Sequence, residues 1–111
     1  MAGLSYCCSI KMHKTMIELN IFRGKEREKE NKDIFEKLLR DRNEIEINFG
    51  AELEWEQSDD VQVCRIRKSL EAGGYQDEAE WALIHERMVD TLLRLQKALD
   101  PKIQHLKREM V

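Results

Sequence analysis

The spacing of apolar residues changes repeatedly along this chain, and this change restricts the possible folds more than any other feature. Two early segments, "LSYCCSIKM" (4–12) and "TMIELNIFR" (15–23), carry apolar residues at every second position. This spacing places one row of side chains on each face of a β-strand, so the two segments predict a hairpin. With His13-Lys14 as the turn, the expected facing pairs are Ile10 with Ile17, Cys8 with Leu19 and Tyr6 with Ile21.

A helical pattern follows this predicted hairpin. Gly24 ends the strand pattern, and the mixed charge run "KEREKENK" (25–32) predicts a solvated loop or a first helical turn. Gly50 stands where a glycine cap is expected at the end of the helix. The apolar positions that recur at helical spacing before it are Ile34, Phe35, Leu38, Leu39, Ile45 and Phe49.

Alternation returns in "ELEWE" (52–56) and "CRIR" (64–67), now between apolar and charged residues. These segments predict a second hairpin with one apolar and one charged face. Alternation alone then explains the run of carboxylates as the wet face of this hairpin. With "QSDD" as the loop, the expected facing pairs are Leu53 with Cys64 on the inner side and Glu52 with Arg65 on the outer side.

The last third of the chain predicts one long helix and one short helix. Asp77 and Glu80 have the spacing of a capping box at a helix start. Asp100-Pro101 predicts a break, because proline is tolerated at the first position of a helix but not in its interior. The apolar stripe before the break contains Trp81, Ile84, Met88, Leu92, Leu95 and Leu99, and the final helix has Ile103, Leu106 and Met110 on its apolar side.

The order hairpin, helix, hairpin, helix predicts an α+β fold of the ββαββα type. We expect a four-stranded antiparallel sheet with two main helices packed on one face and a short C-terminal helix. Residues 1–111 are expected to form a single domain, because a chain of this length supports one core. Trp55 and Trp81 are expected to anchor that core, and Cys8 and Cys64 to fill it as small apolar side chains. The other face of the sheet is expected to be open and polar.

Charge and composition narrow the classes of function. Charged residues make up 37% of the chain, yet the net charge is only −3, so the sequence lacks the basic excess of most nucleic-acid binders. No apolar run approaches the roughly 20 residues that a membrane-spanning helix needs. The first residues lack the pattern of a secretory signal, and three cysteines form no even disulfide framework. We therefore expect a cytoplasmic protein with no membrane association.

The residue pattern predicts no catalytic site, no cofactor and no metal site. A restriction-type nuclease needs a lysine two positions after an acidic residue, and neither "IELN" nor "ELEWE" is followed by one. The cysteines and histidines lack the compact spacing of zinc ligands, and no glycine-rich phosphate loop is present. We expect a non-enzymatic protein. The weaker alternative is a divalent-metal site formed by Glu18, Glu54 and Glu56.

Several short motifs resemble those of a known prokaryotic family. They are Gly3-Leu4-Ser5-Tyr6, Glu18-Leu19, "IEINFG", "LEWE", Asp59-Asp60, "CRIR", Trp81 and "LQKALDPKI". This combination resembles the domain of unknown function DUF4268 from about Gly3 to Leu106. In that family the domain often follows a restriction-endonuclease-like domain within a longer protein. The resemblance therefore implies an accessory module near nucleic-acid metabolism or defence, and it assigns no catalytic residue to this sequence.

The leading functional hypothesis is a non-enzymatic interaction or accessory module that uses the open polar face of the sheet. Its partner would be another protein or a second copy of the chain, which makes a homodimer plausible. The alternative is a nucleic-acid-binding accessory domain of a nuclease or defence system, which is favoured by the family context and, to a smaller extent, by Arg65, Arg67, Lys68 and the C-terminal cations Lys102, Lys107 and Arg108. The residues expected to gather on the open face are Ser9, Glu18, Asn20, Glu52, Glu54, Arg65 and Arg67.

Overall fold

A computed structural model of the chain describes residues 3–11, 14–57, 63–70 and 78–109. Within these ranges, four strands form one antiparallel sheet and three α-helices pack against it. The predicted α+β class and the four-stranded antiparallel sheet are thereby confirmed. The strands are β1 (Leu4–Ile10), β2 (Thr15–Ile21), β3 (Glu54–Gln57) and β4 (Cys64–Leu70), the helices are α1 (Glu28–Arg40), α2 (Arg42–Phe49) and α3 (Trp81–Glu109), and 3-10 turns at Lys25–Arg27 and Glu78–Glu80 precede α1 and α3.

The second hairpin adds to the first through its later strand, so the strand order is β1-β2-β4-β3. All three pairings are antiparallel. β2 and β4 are therefore central, while β1 and β3 form the two edges of the sheet. The central position of β2 explains why Ile17, Leu19 and Ile21 are fully buried.

The register of the first hairpin differs from the predicted one by two residues. Tyr6 lies opposite Leu19 and not opposite Ile21, so the same side chains stay on the same face. The backbone N–H of Lys11 donates to the carbonyl of Lys14 at 2.7 Å, which closes the hairpin one residue earlier than predicted. His13, the other residue of the predicted turn, lies outside the described residues. The alternating pattern specifies the faces of these strands but not the point where the chain turns.

The register of the second hairpin differs by four residues. Cys64 lies opposite Gln57 and not opposite Leu53, and Arg65 lies opposite Glu56. The predicted pairing of Glu52 with Arg65 is therefore wrong, because β3 continues into the residue expected to begin the loop. The division between inner and outer side chains is nevertheless as predicted, since a shift by an even number preserves it.

The three helices and the central strands share one hydrophobic core. Trp55 packs against this core and meets Phe35 edge to face, with ring centroids 6.1 Å apart. The expectation that Trp81 and Cys8 lie in the core is wrong: Trp81 is 52% exposed at the first residue of α3, and Cys8 is exposed on the edge strand. The buried residues of the core include Ile17, Leu19, Ile21, Ile34, Phe35, Leu38, Ile45, Phe49, Cys64, Ile66, Leu95, Leu99, Ile103 and Leu106.

The predicted break at Asp100-Pro101 is wrong, because α3 is a single helix of 29 residues with Pro101 inside it. Leu99 before the proline and Ile103 after it are buried in the same core. Packing on both sides of the proline therefore outweighs the hydrogen bond that proline cannot donate. None of the helices in the described part of the chain is both long and apolar enough to cross a membrane.

The first predicted helix is divided into α1 and α2 at Asp41. The Asp41 N–H donates to the carbonyl of Leu38, and the Asp41 carbonyl accepts from the N–H of Ile45. The Asp41 carboxylate also lies 3.5 Å from the ammonium group of Lys102 on α3. Glu28 begins α1, so part of the predicted charge run forms the first helical turn. Gly50 ends α2 in the left-handed conformation, as predicted from its position.

Candidate binding face of the sheet

The sheet surface opposite the core is formed by the alternate residues of each strand, and we call it the open face. On β2, the buried residues Ile17 and Leu19 point to the core, so Glu18 between them points to the other side. The strand registers extend this face across the whole sheet. It comprises Ser5, Cys7 and Ser9 of β1, Met16, Glu18 and Asn20 of β2, Arg65, Arg67 and Ser69 of β4, and Glu54 and Glu56 of β3.

Charged residues of the open face form cross-strand rows. In one row, Glu18 on β2 lies opposite Arg67 on β4, and Arg67 lies opposite Glu54 on β3. In the neighbouring row, Arg65 lies between Asn20 and Glu56. Each arginine therefore has an acidic residue directly across the β3–β4 pairing, the arrangement that favours cross-strand ion pairs.

Arg67 is the centre of this charge network. Its guanidinium group lies 3.8 Å from the carboxylate of Glu18 and 3.5 Å from that of Glu54, and it donates a short hydrogen bond to Glu56. Only 25% of the Arg67 side chain and 13% of the Glu18 side chain are exposed. Three carboxylates around one half-buried guanidinium group fix its position, because charge-assisted hydrogen bonds and ion pairs strengthen where water is partly excluded.

Arg65 is less constrained than Arg67. Among the residues that the structure describes, it has one ion pair, with Glu56 at 3.7 Å, and 30% of its side chain is exposed. The neighbouring Asn20 donates from its Nδ2 atom to the Cys7 sulfur at 3.2 Å. Among the described residues, the buried Oδ1 atom of Asn20 accepts no hydrogen bond. A buried acceptor without a donor is costly, so a water molecule or a partner's donor would stabilise this position.

A shallow depression of about 340 Å³ lies at one end of the open face. Phe22, which is 40% exposed, provides its largest apolar side chain. Asn20 and Arg65 provide polar groups in the same depression. A concave site that combines apolar surface with a few polar groups can bind a projecting side chain of a partner. The lining residues are Gly3, Leu4, Ser5, Asn20, Phe22, Val63 and Arg65.

Six of the seven residues predicted for the open face lie on it. The exception is Glu52, which precedes β3 by two residues and whose backbone carbonyl accepts from the Lys68 ammonium at 3.3 Å. The six are Ser9, Glu18, Asn20, Glu54, Arg65 and Arg67.

The residues predicted for the binding face did not include Glu56, which contacts both arginines, or Phe22. The outward position of Glu56 followed from alternation, but its partners depend on the register. Phe22 follows the last residue of β2 and continues the even-numbered spacing of Glu18 and Asn20, so alternation alone would have placed it on the open face. Its position beside Arg65 depends on the pairing of β2 with β4, which no local pattern specifies.

The polar side chains of the open face are arranged as ion pairs. Within the described ranges, no three His, Cys, Asp or Glu side chains are grouped so that they could hold a metal ion. The carboxylates of Glu18, Glu54 and Glu56 converge on a guanidinium group. Partial burial raises the pKa of the Cys8 thiol, and the neighbouring Cys7 raises it further. A thiol that stays protonated at neutral pH is a weak nucleophile.

Comparison with known proteins identifies the family of this chain. The family model of DUF4268, a domain of unknown function, matches residues 1–103. The chain therefore belongs to this family, as its motifs indicated. No curated protein and no solved structure matches the chain significantly.

Proposed function

We propose that this DUF4268 domain is a non-enzymatic accessory module that binds another protein through the open face of its sheet. The observation that carries the proposal is the combination, on one surface, of a fixed ion-pair network centred on Arg67 with a depression beside Arg65 and Phe22. The network presents charges in a defined geometry, and the depression offers a place for a projecting side chain. Polar surfaces of this kind are common in non-obligate protein interfaces.

The charges of the open face favour a protein with basic and acidic groups of its own as the partner. Glu18, Glu54 and Glu56 carry three negative charges, and Arg65 and Arg67 carry two positive charges, so the face has a balance of −1. Opposite charges lie on neighbouring strands within each row, and a partner with the complementary pattern would be held in one orientation. Such complementarity determines specificity and the association rate more than affinity.

The depression indicates which side chains the partner would insert. Arg65 is the open-face arginine with fewer ion pairs, and Phe22 lies in the same depression. We infer that the partner inserts a segment with an acidic side chain next to an apolar one. The acidic group would bind Arg65, while the apolar side chain would cover Phe22 and remove it from water.

The same geometry disfavours the alternative of a nucleic-acid-binding domain. A phosphate group that approached Arg67 would have to displace three carboxylates, so Arg65 is the only arginine of the described open face that an anion could readily reach. Lys102, among the C-terminal cations, is paired with Asp41 and Glu44. Affinity for nucleic acid comes mainly from cations that replace counterions along the phosphates, and paired arginines contribute little to that exchange.

The experiment is affinity capture with charge-reversed variants, followed by direct binding of the captured protein. Arg65→Glu reverses the charge at the depression, and Arg108→Glu, on the exposed side of α3, is the matched control. We expect the wild type and R108E to capture the same protein and R65E to lose it. The purified partner should then bind R65E at least about tenfold more weakly than R108E, a loss expected for one charge-assisted contact.

Two outcomes would overturn the proposal. One is a partner that binds R65E and R108E equally well, because the open face would then not be the binding surface. The other is binding of labelled duplex or single-stranded DNA that falls steeply with salt and disappears in R65E, which would establish the nucleic-acid alternative.

A further inference from the structure

The outer edge of β1 has hydrogen-bonding groups that pair with no other strand in the described part of the chain. The N–H of Phe22 donates to the carbonyl of Gly3, and the N–H of Lys11 donates to the carbonyl of Lys14. These two bonds mark the hydrogen-bonded pairs of the β1–β2 ladder, which alternate with pairs that are not bonded. The odd-numbered residues of β1 therefore bond to β2, and the even-numbered residues direct their N–H and C=O groups outward.

β1 also lacks the features that protect an exposed edge. Its sequence, "LSYCCSI", has seven residues with no charge and no proline. The opposite edge strand, β3, has only four residues and includes two carboxylates. Natural proteins block an edge with charges, prolines or short strands, so an uncharged edge of seven residues is suited to pairing with another strand.

The sequence of β1 is complementary to itself. If two copies pair in antiparallel fashion around Cys7, every residue meets one of similar character across the pairing. The outward groups of the even-numbered residues then meet each other as hydrogen-bonded pairs, and Cys7 meets Cys7 of the other copy in a pair without hydrogen bonds. The remaining pairs are Leu4 with Ile10, Ser5 with Ser9, and Tyr6 with Cys8.

Exposed apolar side chains of α3 lie on the side of the helix that carries Asp100, the residue bonded to Tyr6 of this edge. Tyr6 bonds to Asp100, and Leu93 lies seven residues before Asp100, two helical turns back on the same side of α3. Val89 precedes Leu93 by four residues, so the three positions form one stripe. Val89 is 46% exposed and Leu93 is 55% exposed.

The distal end of β1 lies at the same end of the sheet as the N-terminal half of α3. Ile10 pairs with Thr15, and Thr15 pairs with Leu70 on its other side. Leu70 lines one depression together with Thr91 of α3. Ile10 is itself 49% exposed, so an apolar border accompanies the unpaired edge. Exposed apolar side chains that accompany an unpaired edge favour an interaction site there.

We propose that two copies of this chain associate through their β1 edges, which joins their sheets into one antiparallel sheet of eight strands. The two-fold axis passes between the two Cys7 residues, perpendicular to the sheet. Because Tyr6 and Cys8 point to the same side, the helices of both copies lie on one face, and the Val89 and Leu93 stripes approach each other. Such an interface uses the same surface on both copies.

This assembly uses the outward backbone groups of β1, whereas Arg65 and Phe22 of the proposed partner surface lie on β4 and directly after β2. In the dimer, the two open faces would become one continuous surface. The charge reversal Arg65→Glu should therefore leave the dimer unchanged while it weakens partner binding.

The first test is the mass of the chain by analytical ultracentrifugation over a concentration series. We expect a concentration-dependent dimer whose dissociation constant rises about tenfold or more in Ile10→Lys and in Leu93→Lys, since each places a charge in the apolar border. Ile47→Lys is the matched control, because Ile47 is 78% exposed on α2, away from the edge. A monomer at all concentrations, or a dimer that neither variant weakens, would overturn the proposal.

The second test uses the geometry of Cys7. A pair without hydrogen bonds places its Cα atoms about 4.5 Å apart, within the range of a disulfide. Diamide oxidises two thiols to a disulfide and is itself reduced to the hydrazine. We expect diamide to cross-link the wild type and Cys8→Ser into covalent dimers but not Cys7→Ser. A cross-link that persists in Cys7→Ser and disappears in Cys8→Ser would contradict the pairing around Cys7.

Discussion

The hydroxyl group of Tyr6 donates a hydrogen bond of 2.5 Å to the carboxylate of Asp100. This bond joins the edge strand β1 to the C-terminal half of α3, two elements separated by most of the chain. Burial raises the pKa of the Tyr6 phenol well above its usual value, and the hydrogen bond and the negative charge of Asp100 raise it further. The phenol therefore stays protonated and remains a donor throughout the ordinary pH range.

Removal of this hydroxyl should weaken the attachment of β1. We expect Tyr6→Phe to lower the free energy of unfolding by about 1 kcal/mol, measured by urea denaturation, because Asp100 is exposed and regains water. An absorbance titration provides an independent check. Between pH 9 and 10.5 the folded wild type and Y6F should show the same change in phenolate absorbance, whereas in concentrated urea they should differ by one tyrosine. A folded-state difference of one tyrosine would contradict the raised pKa.

The two arginines of the open face should differ in their contribution to stability. Arg67→Gln leaves Glu18, whose side chain is 13% exposed, without its cation, and it removes contacts with two further carboxylates. We expect R67Q to lower the free energy of unfolding by about 1–3 kcal/mol. Arg65→Gln removes one longer ion pair and should cost about 0.5 kcal/mol or less. Equal losses in urea denaturation would show that Arg67 is not the centre of the network.

The alternation of apolar and polar residues correctly predicted on which face of the sheet each side chain lies, because burial of the apolar side chains decides this directly. Ile17, Leu19 and Ile21 alternate with polar residues, and only one orientation of β2 buries all three. The registers could not be predicted in this way, because any shift by two residues satisfies the same pattern. The hydrogen bond between Lys11 and Lys14 selects one register, and the sequence has no strong turn signal at that point.

The candidate site could be predicted only as a list of outward side chains. The convergence of Glu18, Glu54 and Glu56 on Arg67 requires β4 to lie between β2 and β3, and no local pattern specifies which strands of two hairpins become neighbours. The continuation of α3 through Pro101 likewise depends on contacts between residues that are distant in the sequence. A local rule predicted a break there, and contacts with distant residues of the core decided otherwise.

Glu46 on α2 should make the stability of the chain depend on pH. Its carboxylate accepts hydrogen bonds from the Leu53 N–H at 2.6 Å, from the Trp55 indole at 3.4 Å and from Arg42 at 3.2 Å. Burial alone would raise the pKa of Glu46, but these bonds outweigh it and hold the pKa below its usual value. A carboxylate with a lowered native pKa stabilises the fold above its unfolded pKa, and this contribution is lost as the pH falls through the native value.

The Glu46→Gln variant measures how much this carboxylate contributes to the free energy of unfolding. We expect E46Q to cost about 1–2 kcal/mol at neutral pH, because an amide is a weaker acceptor than a carboxylate. The difference from wild type should shrink below pH 4.3, the ordinary value for glutamate, when measured by urea denaturation at several pH values. Glu44→Gln on the same helix, with 60% of its side chain exposed, is the control and should cost about 0.5 kcal/mol or less. A difference between wild type and E46Q that stays constant down to pH 2 would contradict this assignment.

Gly50 at the end of α2 should tolerate few substitutions. Its φ of 97° lies in the left-handed region, and its N–H caps the helix by donating to the Glu46 carbonyl at 2.8 Å. A Cβ atom here would lie 2.5 Å from the Nη2 atom of Arg94, which donates to the Phe49 carbonyl at 2.7 Å. We expect Gly50→Ala to lower the free energy of unfolding by about 1–2 kcal/mol, since left-handed backbone is unfavourable for alanine.

Gly50→Asn separates the backbone effect from the contact with Arg94. Asparagine also has a Cβ atom near Arg94, but it adopts the left-handed conformation more readily than alanine. G50N should therefore be more stable than G50A in thermal or urea denaturation, although less stable than wild type. If both variants lose the same stability, the contact with Arg94 decides the outcome, and Arg94→Ala should then restore part of the loss in the G50A background. If G50A is as stable as wild type, the glycine cap does not require the left-handed conformation that the structure assigns to it.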